Sequence, residues 1–117
     1  MTTPNLTMTT REAAPGVAVI DVVGEITAFS DQEMAAAHDR ASSPGTKAVV
    51  LNFERLDYMN SGGIGLLVTT LIRAQRSGQA LRAYGLSDHY RQIFNLTRLD
   101  EAISIFEDEA SAVSAQP

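Results

Sequence analysis

Apolar positions change their period several times along the chain, and each change marks an expected element. Residues 6–13 (LTMTTREA) alternate weakly, as in a strand at a sheet edge. Pro15-Gly16 is a turn pair. Residues 17–23 (VAVIDVV) are rich in β-branched side chains with one polar position, Asp21, and read as a buried strand pairing with the first in a hairpin. Gly24 is expected to end that strand. Ser30 and Glu33 stand in the S-x-x-E spacing of a capping box, so a helix is expected from about Asp31, with Met34, Ala37, His38 and Ala41 on one face and Ser42-Ser43-Pro44-Gly45 as its end.

The same alternation continues to the C-terminus. Residues 47–53 (KAVVLNF) read as a central strand, and Glu54 to Met59 as a polar loop leading to Asn60-Ser61-Gly62-Gly63. A helix is expected over 64–77, with Ile64, Leu67, Val68, Leu71 and Ile72 at i, i+3, i+4, i+7 and i+8, Arg73 and Arg76 at the end that favours positive charge, and Gly78 as its stop. Residues 80–84 (ALRAY) form a fourth strand. Ser87 caps a helix over 88–96 that turns Tyr90, Ile93 and Phe94 inward. Residues 102–106 (AISIF) form a last strand, and 107–115 a terminal helix that frays. Strands alternating with helices predict a single α/β domain over residues 1–117, with its core in about 6–110, flexible ends, and a mostly parallel sheet carrying an edge hairpin and about four helices.

Charge and composition narrow the function. The formal net charge is −5, with one lysine and eight arginines scattered from Arg11 to Arg98, which argues against nucleic acid as the main partner. No cysteine is present, so disulfides and thiolate metal sites are excluded. MTTPNLTMTT has neither the positive charge nor the apolar run of a signal peptide, and the apolar stretch from Ile64 to Ile72 is too short to span a bilayer. A cytoplasmic protein without membrane insertion is expected.

The segment with candidate chemistry is VVLNFERLDYMNSGGIGLL, Val49 to Leu67. It delivers Ser61 to a helix start, where free N–H groups favour negative charge, and two glycines leave the backbone open to a partner. A serine there can be a helix cap, a phosphoacceptor, or a nucleophile or ligand contact. Three catalytic patterns fail. A dinucleotide loop from Gly63-Ile64-Gly65 needs a further glycine where Val68 stands; a Walker loop needs a lysine that is absent; a nucleophile elbow needs glycine where Met59 stands. His38 reads as structural, His89 as a solvated surface residue, and Asp100, Glu101, Glu107, Asp108 and Glu109 as a solvated acidic face.

Asn60-Ser61-Gly62-Gly63-Ile64-Gly65 resembles the D-S-[ST]-G-[LIV]-G signature of the anti-sigma factor antagonists of the STAS domain family. VIDVVGEI (19–26) resembles that family's second strand and G-E-[LI] turn, and QIFNLTRLDEAISIF (92–106) its helix, L-T-x-L turn and last strand. The resemblance implies that Ser61 is the phosphorylated serine. It further implies a partner surface on the Gly24–Ser30 loop, Tyr58 to Gly63 and the exposed start of the second helix, with Glu25, Thr27, Tyr58, Met59, Asn60, Ser61, Gly62, Gly63 and Ile64 as its residues. The partner would be an anti-sigma factor that is also a serine kinase with a histidine-kinase-like ATPase fold. Binding displaces the sigma factor, phosphorylation releases the antagonist, and a metal-dependent serine phosphatase restores it. ATP and Mg²⁺ belong to the kinase, and the antagonist, a monomer or weak dimer, needs no cofactor and performs no catalysis. The chain departs from the pattern at Asn60 and Thr27, where the family carries acidic residues, and at Gly62, which replaces a second hydroxyl residue. Other uses of a STAS domain are as a subunit of a stressosome-like scaffold or of a lipid-transport ABC complex.

Overall fold

The computed structural model of the protein describes residues 5–115. Residues 1–4 and 116–117, within the ends expected to be flexible, lie outside the described residues. The chain runs β1 (Leu6–Ala14), β2 (Val17–Ile26), α1 (Asp31–Ala41), β3 (Ala48–Met59), α2 (Ser61–Arg76), β4 (Ala80–Tyr84), α3 (Asp88–Leu96), β5 (Ser104–Phe106) and α4 (Glu109–Ser114), with one-turn 3-10 helices at Ala28–Ser30 and Leu99–Glu101. The sheet order is β1-β2-β3-β4-β5. The hairpin β1-β2 is antiparallel and the other pairs are parallel. This is the expected α/β architecture with its edge hairpin and four helices.

Successive strand residues face opposite sides of the sheet. Ile20, Val22, Val49, Leu51, Leu81 and Ala83 face one side and form the main core with Met34 and Ala37 of α1, Leu67 and Ala74 of α2, and Tyr90 and Phe94 of α3. Their neighbours Val19, Val50 and Tyr84 face the other side, where α4 adds Ala112. His38 is buried, as its apolar neighbours predict, with Nε2 2.8 Å from Gln79 Oε1.

Several boundaries differ from the sequence reading. β2 does not stop at Gly24. That residue adopts φ +113°, and a Cβ there would lie 2.1 Å from Asn5 O, so glycine lets the strand continue where a side chain would break it. The stretch from Glu54 to Met59 is strand, not loop. Arg55, Leu56, Tyr58 and Met59 pair with Val23, Gly24, Glu25 and Ile26. Two register shifts let β3 advance from Asn52 to Met59 while β2 advances only from Asp21 to Ile26, which scrambles the alternation that would have revealed the pairing. The Ser30–Glu33 box does not form. Ser30 has φ −86° and ψ 9°, not the extended backbone of a cap, and makes no cap bond to α1, while Glu33 Oε2 is buried with no hydrogen-bond partner among the described residues. The box belongs to the preceding turn: Ser30 Oγ accepts from Thr27 N–H at 3.0 Å, and Thr27 Oγ1 from Phe29 N–H at 3.2 Å.

Helix α2 starts at Ser61 instead of Ile64, and it is rotated. Its buried residues are Gly63, Leu67, Thr70 and Ala74, whereas Val68 and Ile72 are 39% and 43% exposed. Small residues at 63 and 74 let the helix approach the sheet closely, and the Thr70 hydroxyl donates to Leu66 O at 2.9 Å, so a polar residue is tolerated inside. Ile93 is only partly buried against the core. The last strand shrinks to Ser104–Phe106 because Leu99–Glu101 forms a helical turn entered through Arg98 at φ 62°. The terminal helix is likewise shorter than expected, with Asp108 as its cap: the carboxylate accepts from Ser111 N–H at 2.8 Å.

Candidate functional site

The C-terminal ends of β2 and β3 and the start of α2 meet at one end of the parallel strands. Glu25 and Ile26 pair with Tyr58 and Met59, and Asn60 N–H donates to Ile26 O at 3.3 Å. Met59 is buried, and its N–H donates to Tyr90 Oη at 2.8 Å, which fastens the segment before Ser61 to α3. The chain then enters α2 through Asn60, whose backbone is extended and whose Oδ1 accepts from Gly63 N–H at 2.9 Å. Asn60 is therefore the helix cap, and Ser61 is the first helical residue. The reading of Ser61 as the cap is corrected by this geometry: an N-cap side chain must reach back to the second or third helical N–H, and Asn60 already occupies that place.

Ser61 is exposed, and no hydrogen bond among the described residues uses its Oγ. An activated nucleophile needs a base within hydrogen-bond reach. His38 is buried and engaged with Gln79, and His89 stacks edge-on against Tyr90 on α3. Among the described residues, no group of His, Cys, Asp and Glu is arranged to hold a metal ion. The geometry offers an accessible hydroxyl on a helix end, with no side-chain base hydrogen-bonded to it among the described residues.

The glycines after Ser61 have a packing reason. A Cβ on Gly62 would lie 2.7 Å from Ala28 Cβ, and one on Gly63 would lie 2.4 Å from Ile26 O. The 3-10 turn and the start of α2 are thus pressed together, and the box between Thr27 and Ser30 holds that turn in shape. The nine residues expected at the partner surface separate into two groups. Met59 and Gly63 are buried, and Ile64 packs partly against the core, so these three support the site from below. Ser61 and Tyr58 are exposed, while Glu25, Thr27, Asn60 and Gly62 are half-buried around them.

One residue of the Gly24–Ser30 loop was not singled out from the sequence. Phe29 is 93% exposed in the turn pressed against Gly62. Its only sequence signal is an aromatic residue placed between two capping hydroxyls, Thr27 and Ser30, where no helical or strand face would bury it.

Removing the Asn60 side chain costs a cap, whereas removing the Ser61 hydroxyl does not. Asn60→Ala is expected to lower stability by about 1 kcal/mol, and Ser61→Ala to change it by less than about 0.5 kcal/mol. Urea unfolding of both variants checks this; the reverse order would mean that Ser61 caps the helix.

Comparison with known proteins identifies the family. The STAS domain family model matches residues 9–112. An anti-sigma-B factor antagonist of Staphylococcus aureus is 28% identical over 88 residues, spanning 75% of this chain and 82% of its own. An anti-sigma factor antagonist from Mycobacterium paratuberculosis superposes with a TM-score of 0.74 at 21% identity, covering 97% of each chain. The phosphorylated form of SpoIIAA, a Bacillus cell fate determinant, gives a TM-score of 0.61 at 19% identity, covering 90% of this chain and 96% of its own. The match runs from within β1 into α4 and takes in every strand, with the turn that presents Ser61 at its centre; this chain belongs to the STAS domain family.

Proposed function

We propose that this STAS domain is an anti-sigma factor antagonist, a binding module without catalysis of its own that is switched by phosphorylation of Ser61. The observation that carries the reading is the state of Ser61: an exposed hydroxyl at the first position of a long helix, free of any capping duty, on a surface stiffened by the Thr27–Ser30 turn. The names of its relatives support the same role, and one structural neighbour, SpoIIAA, is named an anti-sigma factor antagonist and is also known in a phosphorylated form.

The physical consequences follow from that position. A phosphate adds about −1.5 to −2 charges at neutral pH. On Ser61 it meets the positive end of the α2 dipole, a favourable interaction of about 0.3–1 kcal/mol. Asn60 keeps the cap neutral, so no carboxylate in the preceding residue repels it. The free domain tolerates the modification, whereas an interface packed on Phe29, Tyr58 and Gly62 must strip water from a doubly charged group. Phosphorylation therefore weakens binding more than it disturbs the fold. The partner is an anti-sigma factor that is also a serine kinase and supplies ATP and Mg²⁺, and a serine phosphatase returns the domain to its binding form.

Intact-mass spectrometry of the protein from its native cells, with Ser61→Ala beside it, tests the modification; one added phosphate that vanishes in the variant is the expected result. Against an anti-sigma factor that binds the wild-type domain, Ser61→Ala is expected to bind as the unmodified form does, and Ser61→Asp at least about tenfold more weakly, or about 1.4 kcal/mol. Equal affinity of the two variants would remove the switch from Ser61.

A further inference from the structure

The second face of the sheet is covered by a helix of 6 residues, α4, which is too short to hold its shape in isolation. Its apolar hold is small: Ala112 is buried against Val19, Val50 and Tyr84, with Val113 and Phe106 at the margin. Polar groups complete the attachment. Arg11, on β1, donates from Nη1 to Glu109 Oε2 at 3.0 Å and from Nη2 to Glu109 Oε1. Tyr84 Oη donates to Glu109 Oε1 at 2.8 Å. Arg82 Nη1 donates to Ala112 O at 3.0 Å. The same Arg11 guanidinium is braced by Asp21, through Nε at 2.8 Å and Nη2 at 3.1 Å, and Asp21 accepts from Asn52 Nδ2 at 2.8 Å.

We propose that α4 is a strap that opens and closes over the second face of the sheet as a local unit, with Glu109 as its latch. When the strap opens, Val19, Val50 and Tyr84 lose their cover, and the domain gains a conditional apolar surface on the side of the sheet opposite the helix that starts at Ser61. The Arg11–Asp21 fork lies within the β1-β2 hairpin and survives opening, so the movement stays confined to α4.

The latch is electrostatic, so its sign can be worked out. The groups facing Glu109 are Arg11 from β1, Asp21 from β2, and Tyr84 from β4, with Glu54 of β3 acting on Tyr84 and Arg82 beside Ala112. Hydrogen bonds from Arg11, and then from Tyr84, hold the Glu109 carboxyl below the usual carboxylate range, against smaller opposing effects of partial burial and then of Asp21. A carboxyl lowered in the closed form stabilises that form above its ordinary value, and the stabilisation is lost as pH falls through the lowered one. The strap is latched at neutral pH and released in acid.

Amide hydrogen exchange of the full chain, followed by NMR at neutral pH, tests the proposal. The Ala112 amide, which donates to Asp108 O, reports α4, and the Thr70 and Ala74 amides report α2. Glu109→Gln is expected to accelerate exchange at Ala112 about tenfold while leaving Thr70 and Ala74 unchanged. Glu107→Gln, which removes an equal charge just outside the helix, should leave all three at wild-type rates. Arg11→Met, which removes the other half of the latch, should repeat the selective acceleration. If Ala112 keeps its wild-type rate in Glu109→Gln, or if Ala112, Thr70 and Ala74 accelerate together in both latch variants, α4 is an ordinary part of the core and the proposal fails.

Discussion

Gly63→Ala is expected to destabilise the domain by about 3 kcal/mol, the upper end of what an overpacked contact costs. The added Cβ would lie 2.4 Å from Ile26 O, 2.9 Å from Ile26 C and 2.8 Å from Met59 Cγ. Met59 has a flexible end, but the Ile26 carbonyl is backbone at the close of β2 and cannot move aside. The start of α2 must therefore lift away from the sheet, loosening the Asn60 cap and the contact with the 3-10 turn that presents Phe29. Gly65→Ala is the matched control. It stands on the same helix with nothing within 4 Å of its added Cβ, and it should gain roughly 0.5–1 kcal/mol from helix propensity. Urea unfolding of the two variants decides the matter. A Gly63→Ala protein as stable as wild type would mean that α2 is not seated against Ile26, and the geometry proposed for Ser61 would lose its foundation.

Leu67→Ala is expected to cost about 3 kcal/mol, and Val68→Ala less than about 1 kcal/mol, although the two residues are adjacent and of similar character. Leu67 is fully buried, and its truncation leaves a cavity in the main core. Val68 is 39% exposed and gives up little buried area. Thermal unfolding measures both. The order matters because the apolar residues of α2, read by spacing alone, place Leu67 and Val68 on one inward stripe. Equal losses would restore that stripe and rotate Ser61 and Ile72 away from the orientation described above.

The candidate site was legible in the sequence to the extent that its signals are local. The short segment Asn60 to Gly65 carries the helix start, the glycines and the family signature together, so Ser61 is singled out as a candidate without coordinates. Phe29 fell within the expected Gly24–Ser30 loop but was not singled out, because an exposed aromatic residue breaks no local rule and becomes conspicuous only when the turn around it is seen to be pinned against Gly62. The assignment of the cap also needed the backbone. Asn60 and Ser61 are both good capping residues, and only the extended conformation of Asn60 and its bond to Gly63 N–H separate them.

What the sequence determined by itself was the succession of elements: where β-branched runs make strands, which stretches are helical, where Gly78 and Ser87 stop and start helices, and that strands alternating with helices give a mostly parallel sheet. These follow from interactions within a few residues. The tertiary structure decided the rest. The pairing of Leu56, Tyr58 and Met59 with β2 depends on two register shifts between distant strands. The rotation of α2 depends on how closely Gly63 and Ala74 let it approach the sheet. The docking of α4 depends on Arg11 and Glu109, residues 98 positions apart. Each of these is a contact between segments that no local pattern links, and its energy exists only once the chain has brought them together.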